Sequence, residues 1–119
     1  MFLNCSNHRI ENWSKEQIKE AEKYGKVVEY PFPYVTPQLD EEAVYNIASK
    51  AVEEIYGMNP DIVMCQGEFT LTYKIIEKLK ELNIKVVAAC SDRVTTEAKQ
   101  ADGSNKKIAE FKFIRFREY

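Results

Sequence analysis

The chain holds one histidine, His8, and four arginines, Arg9, Arg93, Arg115 and Arg117. Imidazole is the side chain whose unperturbed pKa suits proton transfer near neutrality, so His8 is the ready candidate for a general acid or base. Guanidinium matches phosphate oxygens well, which makes Arg9 and Arg93, each beside a polar cluster, candidates for an anionic ligand. The plainer uses are a loop imidazole bonded to a backbone carbonyl and, for Arg115 and Arg117, a solvated strand face. Cys5, Cys65 and Cys90, with a C-x-x-H spacing from Cys5 to His8, raise zinc or thiol chemistry. Donors spread over three strands with one histidine are a weak metal signature, and cysteine is commonly a small buried hydrophobe. The expectation is no metal and no cofactor.

A second polar cluster is Gln66-Gly67-Glu68-Phe69-Thr70. Gly67 allows a sharp turn from a strand into a helix, whose N-terminal amides could hold a phosphate. Phe69 and Tyr73, four apart, could flank a base, although aromatics at helical spacing more often serve the core. Neither GxGxxG nor GxxxxGK[ST] is present, which disfavours classical NAD enzymes and P-loop NTPases.

The elements that position these residues follow from periodicity. Phe2 to Cys5 reads as a strand ending in the loop Ser6-Asn7-His8-Arg9. Ser14 and Gln17 form an S-x-x-Q capping box with Trp13 and Ile18 as its staple, predicting a helix from Lys15 to about Tyr24, ended by Gly25. Val27 to Tyr30 is a strand stopped by Pro31 and Pro33. Val44, Ile47, Ala48, Ala51, Val52 and Ile55 mark one face of a second helix, with acids at its start and Gly57 as its terminator. Ile62 to Cys65 and Ile84 to Cys90 are unalternating apolar strands, covered on both faces. Between them Leu71, Ile75, Leu79 and Leu82 predict a third helix. Val94 to Lys99, the turn Asp102-Gly103-Ser104-Asn105 and the alternating Ile108 to Phe116 predict a closing hairpin after a loop at Ser91-Asp92-Arg93.

Alternating strands and helices demand right-handed crossovers. The expected fold is α/β: one Rossmann-like domain over residues 1–119, a parallel sheet of order 2-1-3-4 flanked by helices, and a C-terminal antiparallel hairpin at one edge. Ligands bind such sheets beyond the carboxyl ends of the strands, between the first and third. The polar loops after the first, third and fourth strands converge there.

Composition bounds the function. The 119 residues are 45% hydrophobic and 30% charged, with four glycines and four prolines, which excludes bulk disorder. Seventeen basic against nineteen acidic residues leave a net charge of -2, without the positive field needed to bind long nucleic acid. Lys106 to Tyr119 is nonetheless locally basic. No apolar run approaches the roughly 20 residues that span a bilayer. Met1 to Cys5 is too short and uncharged for a signal peptide, so the expected compartment is the cytosol, where an odd set of free thiols is at home.

Four segments together are more specific than any alone: Ser6-Asn7-His8, Gln66-Gly67-Glu68-Phe69-Thr70-Leu71-Thr72-Tyr73, Ala89-Cys90-Ser91-Asp92-Arg93 and the terminal Phe111-Lys112-Phe113-Ile114-Arg115-Phe116-Arg117-Glu118-Tyr119. In them the chain resembles the small stand-alone CRISPR-associated ring nucleases, single-domain relatives of the CARF (CRISPR-associated Rossmann fold) domains. The resemblance spans nearly the whole chain and is least defined over Val94 to Lys107. It implies a homodimer that binds cyclic oligoadenylate, cyclic tetra-adenylate first among the ring sizes, and linearises it without metal. Two positions depart from the pattern: Ser91-Asp92-Arg93 stands where relatives look like T-[TK]-[EK]-R, and Arg9 follows His8 where proline is expected.

On this reading His8 assists proton transfer, Arg93 and the amides from Gly67 to Thr70 meet charge, and Ser6 and Asn7 orient the ring. Arg9, Gln66, Glu68, Phe69, Ser91 and Asp92 are expected to contact it, Glu68 by placing a hydroxyl unless it merely caps the helix. A ring-binding sensor or sponge that does not cut, a flavodoxin-like nucleotide-binding protein and a thiol protein using Cys5 and Cys90 are the other classes the residues allow.

Overall fold

Two five-residue strands, β1 (Phe2–Ser6) and β3 (Ile62–Gln66), are buried from end to end apart from Gln66, as their unalternating apolar runs require. They pair in parallel with each other, β1 pairs in parallel with β2 (Val27–Glu29), and β3 with β4 (Lys85–Lys99). An antiparallel β5 (Asn105–Glu118) closes a mixed, mostly parallel five-stranded sheet of order β2-β1-β3-β4-β5. The computed structural model describes all of residues 1–119. Three helices complete the α/β fold: α1 (Lys15–Glu22), α2 (Glu41–Met58) and α3 (Phe69–Glu81), with a short 3-10 turn at Ile10–Asn12. No helix is long and apolar enough to cross a membrane.

The strand pleat sends alternate side chains to opposite faces, and the core divides accordingly. Leu3, Cys5, Val63, Cys65 and Val86 pack under α2 and α3. Phe2, Ile62, Met64 and Val87 pack with Trp13 and Ala21 on the α1 side. There Phe2 meets the edge of Trp13 at 6.0 Å between ring centroids and lies 4.8 Å from Phe116, tying the first strand's face to the last.

Helix ends show where local chemistry yields to packing. Ser14 and Asp40 cap α1 and α2 by accepting from the amides of Gln17 and Ala43. The reciprocal half of the expected capping box is missing, because the Gln17 amide is buried and reaches the Met64 sulfur at 3.7 Å instead. Helix α1 stops at Glu22, short of Tyr24, and Gly25 takes φ 106° in the turn that follows. Gly57 does not end α2. The helix runs on to Met58, and Asn59 supplies the left-handed terminator at φ 54°, a conformation its short polar side chain tolerates.

The largest departure is at β4. The expected loop at Ser91-Asp92-Arg93 is strand, and β4 continues for fifteen residues with one register irregularity between Cys90 and Ser91. Pairing with β3 covers only Lys85 to Val87; beyond it β5 is the sole partner, through to Lys99 opposite Asn105. Asp102 closes the tip, accepting from the Ser104 amide and hydroxyl, while Gly103 adopts φ 89°. The hairpin thus stands out as a two-stranded arm. It stretches the molecule to 56 × 38 × 21 Å and its radius of gyration to 17.2 Å, against about 13.5 Å for a compact chain of this length.

Candidate functional site

At the carboxyl ends of β1 and β3 and beside the middle of β4, on the α1 face, lies a cavity of about 370 Å³. Ser6, Asn7, His8, Gln66, Gly67 and Ser91 line it, so six of the twelve residues expected from the sequence converge there. Gln17, Met64, Ala89 and Phe111 complete the wall and were not anticipated. Gln17 was hidden by its apparent role in the capping box; its place one turn before Ala21 on the buried face of α1 was the available signal. Phe111 was legible only through the hairpin register, which sets it opposite Arg93.

The exit of β1 is fixed by a closed polar network. Asn4, 1% exposed, donates to the His8 carbonyl at 2.9 Å and to Glu29 Oε1 at 2.6 Å, and accepts from the Ser6 hydroxyl at 2.6 Å. Ser6 Oγ accepts in turn from the His8 amide at 3.1 Å, and Trp13 Nε1 donates to the same His8 carbonyl at 2.9 Å. A buried asparagine in a strand is costly unless so paired. Its payoff is placement: the His8 backbone is held at three points while the side chain lies at the exposed cavity rim.

The exit of β3 works through side chains that replace backbone. Once the β3–β4 ladder stops, the Gln66 amide spans the gap, accepting from the Ala89 amide at 2.7 Å and facing the Ala89 carbonyl at 3.5 Å. Gly67 is required for space, not for a left-handed turn: a Cβ there would come within 2.5–2.7 Å of the Phe32 ring. Glu68 overturns the expected phosphate cradle. Its carboxylate accepts from the amides of Thr70 and Leu71 and from the Thr70 hydroxyl, so these helix-start donors are already occupied by an internal anion. The Leu71 amide, foremost, holds the Glu68 carboxyl below its ordinary range.

Other expected contacts lie elsewhere. Phe69, 89% exposed, faces away from this cavity into a separate groove of about 400 Å³ with Leu39, Val44 and Tyr73, because the first turn of α3 points it to the α2 side. Thr70 borders that same groove. Arg9 is engaged with Glu11 at 3.3 Å and Glu29 at 3.8 Å, outside the cavity. Asp92 and Arg93 sit on the arm, opposite Lys112 and Phe111, and pleat alternation puts them on opposite faces. Arg93 shares the face of Ser91 and Phe111 but is not part of the lining, which contains no lysine or arginine.

The thiols form a separate feature. Cys5 and Cys65 are register partners on neighbouring strands, fully buried in the cluster under α2 and α3. The Cys5 thiol beside it, and then burial, push the Cys65 thiol well upward, so it stays protonated. No three histidine, cysteine, aspartate or glutamate side chains gather in a metal-binding cluster.

An α/β chain with a mostly parallel sheet and a polar cavity at its strand ends is the class these observations define. Residues 1–117 match the Uncharacterized protein MJ1673 family, and the chain belongs to that family. It is similar to the protein named Uncharacterized protein MJ1673 of Methanocaldococcus jannaschii, 28% identical over 128 aligned positions that cover all of this chain and 95% of the relative. No solved structure matches the chain.

Proposed function

We propose that the chain is a ring nuclease of the CRISPR-associated kind, a single Rossmann-like, CARF-like domain that binds cyclic oligoadenylate in the cytosol and linearises it as a twofold dimer. The observation that carries the reading is the convergence of Ser6, Asn7, His8, Gln66, Gly67 and Ser91 on one polar cavity at the strand ends. The substrate brings its own nucleophile, since each ribose 2′-hydroxyl neighbours the phosphate it would attack. That oxygen bonds to phosphorus, the P–O5′ bond breaks, and the products are a 2′,3′-cyclic phosphate and a 5′-hydroxyl. One proton leaves the 2′-oxygen and one reaches the 5′-oxygen. His8 at the rim is the group to move either proton, and the Ser6–Asn4–Glu29 network keeps its backbone from shifting.

Incubating the protein with cyclic tri-, tetra- and hexa-adenylate, with chromatography of the products, tests this directly. Linear fragments from cyclic tetra-adenylate, formed equally in EDTA, are expected. Tight binding with the ring intact would replace the nuclease by a sensor or sponge. Neither binding nor cleavage of any ring would overturn the reading. His8→Ala is expected to slow cleavage by about 10²-fold with binding nearly kept.

A further inference from the structure

Strand β5 is the outermost of the sheet, and its only partner is β4. Over fourteen residues its outer edge therefore presents unpaired amides and carbonyls. A long open edge is a template for another strand, and a two-stranded ribbon such as the arm is marginal in water by itself. Large apolar side chains are also exposed along this edge: Ile108 at 37%, Phe111 at 77% and Ile114 at 50%.

We propose that two copies of this chain join through β5, antiparallel and centred on Phe111, so that each copy completes the other's cavity. From Ala109 to Phe113 the sequence of β5 is self-complementary about that point. Phe111 meets the partner's Phe111, Glu110 the partner's Lys112 and Ala109 the partner's Phe113, each off-axis pair occurring twice by symmetry, and the run ends at the irregularity that leaves Ile114 without a partner in β4. Centring on Glu110 or on Lys112 would set like charges against each other on the axis itself, whereas here the like pair, Lys107 with the partner's Arg115, falls four residues out. The chosen register covers the exposed Phe111 with its symmetry mate and turns the carboxyl ends of the two sheets toward each other.

The joined ribbon supplies what one cavity lacks. Arg93 is the in-chain partner of Phe111, so one face carries a row of four side chains: Arg93, Phe111, the partner's Phe111 and the partner's Arg93. Its outer members are about 14 Å apart at the sheet's interstrand spacing. Two aromatic faces between two guanidinium groups suit bases and phosphates of a ligand with the same twofold symmetry. This use of the row rests on the ring-nuclease reading; the pairing does not.

Cross-linking separates the two. In a Cys90→Ser background, Phe111→Cys treated with diamide should give a covalent dimer, because the twofold axis sets each thiol against its own copy. Ala109→Cys, whose opposite is Phe113, should not. In sedimentation, Glu110→Lys should weaken the dimer by about tenfold or more, since two attractive pairs become repulsive. Mixing it with Lys112→Glu should restore a heterodimer, lysines facing glutamates at both pairs. No Phe111→Cys link, an equal Ala109→Cys link, or a Glu110→Lys dimer as tight as wild type overturns the pairing. Loss of the pairing while rings are still cut leaves the nuclease standing; a linked dimer that cuts no ring removes the nuclease and leaves the interface.

Discussion

β1 and β4 leave the sheet in opposite ways. β1 ends at Ser6 in a network that pairs the polar groups of Asn4 and Ser6 and pins the His8 backbone. β4 does not end at all: it parts from β3 after Val87 and runs twelve residues further with one partner and little burial. The first exit is held by desolvated hydrogen bonds, which break at a cost; the second is held by a ladder that water can compete for. Rigidity at the candidate site therefore comes from the β1 and β3 side, and adaptability from the arm.

Removing the lock should have the largest effect. Asn4→Ala would take one partner each from the Glu29 carboxylate, the His8 carbonyl and the Ser6 hydroxyl, and a loss of about 2–4 kcal/mol of stability is expected in urea denaturation. Next is Gly67→Ala, whose methyl collides with the Phe32 ring; thermal unfolding should show about 1–3 kcal/mol lost. Combining it with Phe32→Ala should recover part of the steric loss, and no recovery would mean that Gly67 serves something other than ring clearance.

Glu68→Ala removes a helix cap and should cost about 1 kcal/mol. Because the folded carboxyl is held below its unfolded range, its contribution is present above that range and lost as pH falls through the depressed value. Stability of wild type should therefore drop faster than that of Glu68→Ala in the acid limb. On the arm, Thr96→Ala should change stability by no more than about 0.5 kcal/mol. A large loss there would mean that the arm is packed more firmly than its exposure indicates.

The same contrast marks what could be read from sequence. Strand order, three helices and the Ser14 cap were legible because buried segments must carry their period and helix starts must satisfy their amides. So was the polar cluster of Ser6, Asn7 and His8. Ser91-Asp92-Arg93 looked like a loop because a ribbon exposed on both faces needs no hydrophobic alternation. For Glu68 the sequence allowed both a ligand contact and a helix cap, and only geometry decides for the cap by turning its carboxylate onto Thr70 and Leu71. Phe69 was misplaced for a related reason, since the face a side chain takes depends on where the helix begins.

Gln66 makes a rung out of a side chain, accepting from the Ala89 amide where the main chains have drifted apart. The floor of the cavity is thus a seam opened in the sheet, kept at a set width by one amide of fixed length. A shorter asparagine would let the seam zip or flood, and a glutamate would set negative charge against the Ala89 carbonyl. The gauge of the site is consequently written at position 66, in a residue that need never touch a ligand to decide which ones fit.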